Sequence, residues 1–259
     1  MPSSLLDAAR QHAGSVGLNL FGLVDARRFD ASTPKEDRAA SIAPHCGTLL
    51  VVGTGGRSCS QQFALRGSAC SPAVDAEALH RFVLDGVRRI GELLRAHSIP
   101  CATIATDGGR LNFLRLGEAA GFGIVSPVSG LLLHPEYGPW VCVRAALLLD
   151  GTPFGPVADA AIGERFQPCC GCARPCVSAC PAHVHDGEGN QDLQRCASHR
   201  REGNCEDHCI SRAACPVGSE HRDGDGECAH RHTYSLGAMQ RRFGLGIWRI
   251  VPAPWRRRL

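Results

Sequence analysis

The chain has 259 residues, of which 44% are apolar, and its formal net charge is +3. This length allows one large domain or two small ones with a sizeable core, and the small charge gives no argument for a nucleic-acid partner. The N-terminus lacks the basic and apolar stretches of a secretory signal, and no window approaches the roughly 18 apolar residues of a membrane span. We therefore expect a cytoplasmic protein without a membrane segment.

The predicted elements mix helices and strands without a regular βαβ repeat. The clearest is a helix over 76–97, because apolar residues recur there at helical spacing while arginines and glutamates occupy the other face. The others, in chain order, are a helix over 4–14, strands over 18–24, 49–52 and 101–105, a helix over 111–120, strands over 131–133 and 141–149, and a helix near 234–243. This mixture favours an α+β fold over a doubly wound sheet.

Composition divides the chain into three parts. A glycine- and proline-containing stretch over 151–167 separates the mixed helices and strands from a loop-rich, cysteine-rich region. We expect an α+β domain over 1–150, a cysteine-rich domain over 166–230, and a C-terminal helix with a basic tail over 231–259.

A glycine-rich segment, Gly53-Thr-Gly-Gly56, follows the second predicted strand. The third glycine of the dinucleotide-binding pattern is replaced by Ser58, and no helical pattern begins at once. The segment therefore predicts a plain glycine turn rather than a nucleotide-binding loop.

Ten of the fifteen cysteines lie between Cys169 and Cys228, mostly in two runs that each end in Cys-Pro. The first run ends in Cys180-Pro181 and the second in Cys215-Pro216. A four-iron cluster needs four thiolates, and the bacterial ferredoxin run ends in Cys-x3-Cys-Pro with its last cysteine bound to the other cluster. Cys176-x3-Cys180-Pro181 matches that ending, which predicts a protein that transfers single electrons.

The two-cluster arrangement assigns eight of these cysteines. The first cluster takes Cys169, Cys172, Cys176 and Cys215, and the second takes Cys180, Cys196, Cys205 and Cys209. Cys170 and Cys228 are left as spares or as alternates for Cys169.

Alternatives to two clusters remain open. The spacings Cys172-x3-Cys176 and Cys209-x5-Cys215 exceed those of the standard run, so one intact cluster beside a degraded site is one of them. Zinc is another, because seven histidines follow residue 169 and Cys-x2-Cys knuckles are present, although zinc does not explain the two Cys-Pro endings. Free thiols are the third. The five earlier cysteines are scattered and are expected to be small buried hydrophobes.

The C-terminus is basic. Arg256, Arg257 and Arg258 follow Trp255, and three more arginines precede them between residues 241 and 249. A solvated end is the ordinary interpretation of such a tail, and docking to an acidic partner or a phosphate backbone is the alternative.

Several segments together resemble a known superfamily. They are Gly17–Leu23, Asp107 followed fourteen residues later by Gly121 in Ala-Ala-Gly-Phe-Gly123, the turn His134–Trp140, and Arg195-Cys196-Ala-Ser. From about residue 5 to residue 217, the chain resembles the epoxyqueuosine reductase and reductive dehalogenase superfamily of cobalamin-dependent iron–sulfur reductases.

The resemblance implies a nitroreductase-like N-terminal α+β layer that binds cobalamin, followed by a ferredoxin-like module with two [4Fe–4S] clusters. It implies that Asp107 is the catalytic proton donor, that Gly121, Gly123 and Tyr137 line the cofactor pocket, and that a ferredoxin or flavodoxin supplies electrons. Taken without the resemblance, Asp107 and the His134–Trp140 segment predict ordinary turns. His183 and His185 are expected to shield a cluster.

Three departures from the family pattern stand out. Ile124–Ser129 replaces a Gly-Lys-Asn segment, a short Gly53–Ser71 loop takes the place of an aromatic- and histidine-containing stretch, and we expect no C-terminal helical-repeat domain for tRNA. The sequence thus predicts an iron–sulfur oxidoreductase, an enzyme that passes low-potential electrons to the corrinoid-assisted reduction of a small organic substrate. The alternative is a non-catalytic electron carrier or reductive activator of a partner protein.

Overall fold

The structure, a computed structural model, describes residues 2–66, 76–106, 111–158, 160, 166–205, 208–222, 236–237, 239–241 and 243–252. Its helices are α1 (Pro2–Ser15), α2 (Ala26–Ala31), α3 (Ser58–Leu65), α4 (Ala76–Ala96), α5 (Phe113–Ala119), α6 (Pro175–Ser178), α7 (Leu193–Arg201) and α8 (Ile210–Ala213). Its strands are β1 (Leu20–Asp25), β2 (Cys46–Gly55), β3 (Cys101–Ala105), β4 (Ile124–Val125), β5 (Leu132–Leu133) and β6 (Val141–Asp150). The mixture of helix and sheet is that of an α+β protein.

The main sheet has four antiparallel strands in the order β1-β2-β6-β3, and β4 pairs with β5 in a separate two-stranded sheet. Its two central strands are apolar on both faces, because each face packs against helices. In β2, Leu49 and Val51 face the core shared with α2 and α5, whereas Leu50 and Val52 face the core shared with α1 and α4. The helices therefore cover both faces of the sheet.

Helix α4 matches the predicted helix over 76–97 closely. Leu79, Val83, Val87, Ile90 and Leu94 are buried at successive turns. The outer face carries Arg88 and Arg89, which pair with Asp85 and Glu92.

The prediction of a turn at Gly53–Gly56 is wrong. Strand β2 continues to Gly55 and pairs with β6, and α3 then occupies part of the stretch predicted to be a loop over 53–71. The glycines are needed for packing, because a Cβ at Gly55 would overlap the ring of Tyr137.

The cysteine-rich region has only short helices, α6 to α8, among its described residues. The buried apolar side chains in the described part of this region belong to Cys180, Ala182, Val184 and Ala197. At the C-terminus, the described residues between 236 and 243 are helical, in agreement with the predicted helix, and the other residues of that prediction lie outside the described part.

Of the helices in the described part, none is long and apolar enough to cross a membrane.

Candidate metal centre

The cysteines assigned to the first cluster line one cavity. Cys169, Cys172 and Cys176 come from the turn before α6 and from α6 itself, and Cys215 follows α8. Burial raises the pKa of the Cys176 and Cys215 thiols, and the neighbouring thiols of this set raise it further. Each thiolate disfavours ionisation of the next thiol, so a bound cation would stabilise the ionised form of this set.

The wall of this first cavity comes from the α+β part of the chain. Val128, Leu131 and Leu133 supply apolar surface, and the Ser126 hydroxyl lies 3.3 Å from the Cys169 sulfur. The cavity thus has four thiols on an otherwise mainly apolar lining. That donor set suits a thiolate-bound iron–sulfur cluster.

The cysteines assigned to the second cluster are also neighbours. Cys180 and Cys196 pack with Ala182 and Val184 in a small apolar cluster. Burial raises the pKa of the Cys196 thiol, and the thiols of Cys180, Cys205 and Cys209 contribute in the same direction. Burial is also the main cause that raises the pKa of the Cys205 thiol.

One buried arginine faces this second set. Arg200, in the last turn of α7, is only 7% exposed. Burial lowers the pKa of Arg200, whereas Cys196, Cys205 and Cys209 act to raise it. A buried cation is costly unless it is compensated, and four metal-bound thiolates would compensate it.

A hydrogen-bonded joint ties the two cysteine runs to the α+β part. The Ser211 hydroxyl donates to the Cys176 carbonyl oxygen at 2.5 Å and lies 2.7 Å from His185 Nε2. His185 Nδ1 lies 3.0 Å from the Ser129 carbonyl oxygen. Burial lowers the pKa of His185. His185 is therefore held between the two runs, and its expected role of shielding a cluster stays a prediction.

A site for a single metal ion requires a different arrangement of ligands from a four-iron cluster. Among the described residues, no three histidine, cysteine, aspartate or glutamate side chains converge closely enough to hold a single metal ion. A four-iron cluster binds each thiolate to a different iron, so its ligands need not converge on one point. Cys170 is exposed, and Cys228 lies outside the described residues.

The chain after the second Cys-Pro forms a seam with the turn at His134–Trp140. The rings of His134 and Tyr137 stack at 4.7 Å, and His221 meets Tyr137 edge-on at 4.9 Å. Gly138, with φ of 54°, faces the Val217 carbonyl oxygen so closely that a Cβ there would overlap it. His134–Trp140 is thus the tight turn that the sequence predicts.

The residues expected to line a cofactor pocket are in close contact with other parts of the chain. A Cβ at Gly121 would lie 2.7 Å from the Ala160 Cβ, and one at Gly123 would overlap the Leu133 carbonyl oxygen. Tyr137 packs on Gly55, and its hydroxyl accepts a hydrogen bond from Asn19 Nδ2 at 3.3 Å. Each of these three residues thus makes a close contact with another part of the chain. Asp107 lies outside the described residues.

The early cysteines divide in two. Cys59 is fully buried in the core beside α1 and α4, as expected of a small hydrophobe. Cys46, Cys101 and Cys142 are only half-buried, and Cys70 lies outside the described residues. Burial raises the pKa of the Cys46 thiol to about 11, so this side chain is a neutral thiol near neutral pH.

The turn at His134 leads to a pH prediction. His134 Nδ1 accepts the backbone N–H bonds of Glu136 at 3.0 Å and Tyr137 at 3.2 Å. Burial lowers the pKa of His134, with Glu136 opposing and His221 adding to the effect. The unfolded chain therefore takes up a proton near pH 6.5 while the folded chain does not, and stability falls as the pH drops below that value.

We expect His134→Asn to weaken this pH dependence, because the asparagine Oδ1 can accept in place of Nδ1 without titrating. Urea unfolding of both proteins at several pH values between about 7.5 and 5.5 measures the difference. Equal losses of stability in the two proteins would contradict the prediction.

Comparisons with known proteins identify the fold. No family model and no curated protein matches the chain. A structure of epoxyqueuosine reductase with an epoxyqueuosine-modified tRNA-Tyr stem loop is similar with a TM-score of 0.61 and 16% identity, over 86% of this chain and 68% of that one. The chain has the epoxyqueuosine reductase fold.

Two further structures share this fold. Epoxyqueuosine reductase from Bacillus subtilis, solved with its catalytic loop swung out of the active site, has a TM-score of 0.59 and 15% identity, over 89% of this chain and 70% of that one. A reductive dehalogenase, whose structure suggests a mechanism for B12-dependent dehalogenation, has a TM-score of 0.54 and 17% identity, over 92% of this chain and 34% of that one. The epoxyqueuosine reductase fold thus accounts for most of this chain.

Sequence reasoning missed Arg200, Ser211 and Ser126. Ser126 and Ser211 occupy no recognisable motif, because their roles depend on contacts with residues 43 and 35 positions away. Arg200 had one signal that could have found it. It lies four residues after Cys196 in a helical segment, so it shares a face of α7 with that cysteine.

Proposed function

We propose that the chain is an iron–sulfur oxidoreductase that binds two [4Fe–4S] clusters and passes low-potential electrons between them. The observation that carries the proposal is the sorting of eight thiols into two neighbouring sets of four. Each run contributes its last cysteine to the other set, which is the crossing pattern of two-cluster ferredoxins.

The proposed electron path follows the surroundings of the two sets. The first set borders the α+β part through Ser126, Val128 and Leu133. The second set lies beside α7 and Arg200. Electrons from a ferredoxin or flavodoxin enter at the second cluster, cross to the first and reach an acceptor at the α+β part. Arg200 favours electron entry, because a nearby cation stabilises the negative charge that reduction adds.

The same proposal includes the division of the chain. A nitroreductase-like layer over 1–150 receives the electrons, a ferredoxin-like module over 166–230 carries them, and 231–259 forms a C-terminal helix and basic tail. The protein is cytoplasmic, where clustered cysteines bind metals rather than form disulfides. The likeness of its fold to epoxyqueuosine reductase supports this division.

The proposed acceptor is a small organic substrate or a partner protein. The structures of similar fold include one that suggests a mechanism for B12-dependent dehalogenation, but Gly121, Gly123 and Tyr137 of this chain make close contacts within the chain. These contacts favour the second candidate function, a non-catalytic electron carrier or reductive activator. One structure of similar fold contains a tRNA stem loop. A nucleic-acid substrate is therefore also to be tested, although the small net charge of this chain gave no argument for one.

Anaerobic purification with metal analysis tests the proposal. We expect about eight irons and eight sulfides per chain, broad visible absorption, and bleaching by dithionite. Zinc in place of iron, without visible absorption, would contradict it. Addition of cobalamin to the same protein separates the two candidate functions, since a spectrum that responds to cluster reduction would favour the enzyme and the absence of binding would favour the carrier.

A further inference from the structure

The end of the chain carries charge of a single sign. After Glu227 the sequence contains seven arginines and no aspartate, glutamate or lysine. The structure describes 236–237, 239–241 and 243–252 of this segment. We call the described residues from 236 to 252 the C-terminal platform.

The C-terminal platform contacts the arginine beside the second cysteine set. Arg200 Nη1 lies 3.7 Å from the Met239 sulfur, and Arg200 is the buried cation that faces Cys196, Cys205 and Cys209. The platform is therefore next to the second cluster, at which electrons enter in the proposed function.

Local structure holds the platform in a defined shape. Its helix ends at Phe243, where Gly244 has a φ of 64° and the Leu245 N–H donates to the Gln240 carbonyl oxygen at 2.9 Å. A 3₁₀-helix, Gly246–Ile250, follows. The Arg241 guanidinium lies over the Trp248 ring at 5.9 Å and joins the two helices.

The outer surface of the platform combines apolar and basic side chains. Ile247 is 80% exposed and Ile250 is 89% exposed. Residues three apart in a 3₁₀-helix lie on one face, so the two isoleucines form a single apolar patch. Arg249, between them, is also exposed.

This combination fits an acidic protein better than other anionic partners. Protein interfaces have apolar centres with arginine around them, and opposite charge steers the encounter. RNA recognition uses exposed aromatic rings for stacking, whereas Trp248 is half-buried beneath Arg241. A membrane-surface helix needs a long amphipathic face, whereas this 3₁₀-helix has five residues.

We propose that the C-terminal platform docks a small acidic one-electron carrier protein that reduces the second cluster. The inference rests on the proposed function and names the surface on which its electron donor docks. The reduced carrier loses one electron and the cluster gains it, and no bond is formed or broken. Ile247 and Ile250 form the apolar centre of the contact, and Arg249 supplies charge at its edge.

The test uses the full-length, cluster-loaded protein and a purified acidic [2Fe–2S] ferredoxin. Stopped-flow bleaching by the reduced ferredoxin measures the rate of electron entry, and calorimetry with the oxidised ferredoxin measures binding. The variants are Arg249→Glu and the double variant Ile247→Ser/Ile250→Ser. Their matched controls are Arg27→Glu on α2 and Leu65→Ser on α3, because both residues are exposed and belong to the α+β part.

We expect the bleaching rate of the wild type to fall as salt rises, and both platform variants to be slower by about tenfold or more at low salt. Both controls should match the wild type, and dithionite should bleach all five proteins equally. If the platform variants match the controls in rate and in ferredoxin binding, the inference is overturned while the proposed function stands.

Two other outcomes also decide against the inference. Loss of binding to a tRNA stem loop or to anionic vesicles in the platform variants, with ferredoxin reduction unchanged, would assign the platform to RNA or to a membrane surface. Failure of dithionite to bleach the wild type would instead overturn the proposed function, and the inference with it.

Discussion

Cys180→Ser should remove the second cluster, although Cys180 belongs to the first cysteine run. The thiol of Cys180 lies with those of Cys196, Cys205 and Cys209, whereas the other ligands of its run lie with Cys215. We expect iron to fall from about eight to about four per chain, because a four-iron cluster lacking one thiolate is lost or labile.

Because each run contributes its last cysteine to the other set, the prediction can be checked with matched variants. Cys205→Ser should give the same residual spectrum as Cys180→Ser. Cys176→Ser and Cys215→Ser should share a different residual spectrum, that of the remaining second cluster. Cys170→Ser should keep all the iron, because this cysteine is exposed and belongs to neither set. If Cys180→Ser matched Cys176→Ser instead, each run would bind its own cluster and the crossing would be wrong.

Removal of the clusters should unfold the cysteine-rich region while the sheet stays folded. Within the described part of the chain, the largest fully buried side chains all lie between Leu18 and Leu149, whereas the buried apolar residues after residue 166 are Cys180, Ala182, Val184 and Ala197. So little buried apolar surface cannot hold about 60 residues in one conformation, so metal binding must supply the folding free energy there.

Limited trypsin digestion of the loaded and the chelated protein measures this effect. After chelation we expect rapid cleavage at Arg195, Arg200 and Arg201, and a resistant fragment that contains α1 to β6. Arg200 is the most informative of these sites, because it is buried in the folded chain and should be cut only after cluster loss. Equal resistance of both parts after chelation would mean that the cysteine-rich region has another source of stability.

Local patterns predicted most of the regular elements. Helix α4 was predictable to within a residue because its apolar side chains recur at helical spacing over 21 residues. The assignment of eight cysteines to two clusters stays a prediction, which rests on the fixed number of thiolates that a cluster binds and on the two Cys-Pro endings. In both cases the pattern lies within a short stretch of sequence.

Long-range packing accounts for what the sequence did not reveal. Gly53 and Gly55 indicated a turn, yet they lie in β2, and the reason for Gly55 is the ring of Tyr137, 82 positions further along the chain. Helix α2 is too short to carry a clear periodicity, and it is set by Asp25, whose carboxylate accepts the Arg28 N–H at 3.0 Å. Gly121 and Gly123, expected to line a cavity, are in contact with Ala160 and Leu133.

The paired glycines of the seam bear on how the first cluster is assembled. Gly138 and Gly218 both have positive φ and face each other backbone to backbone, so neither position has room for a side chain. This contact holds the segment after Cys215 against a turn carried by the folded sheet. As the cysteine-rich region folds around its iron, this contact holds Cys215 against the sheet, so that assembly loses less chain entropy than it would with four mobile ligands.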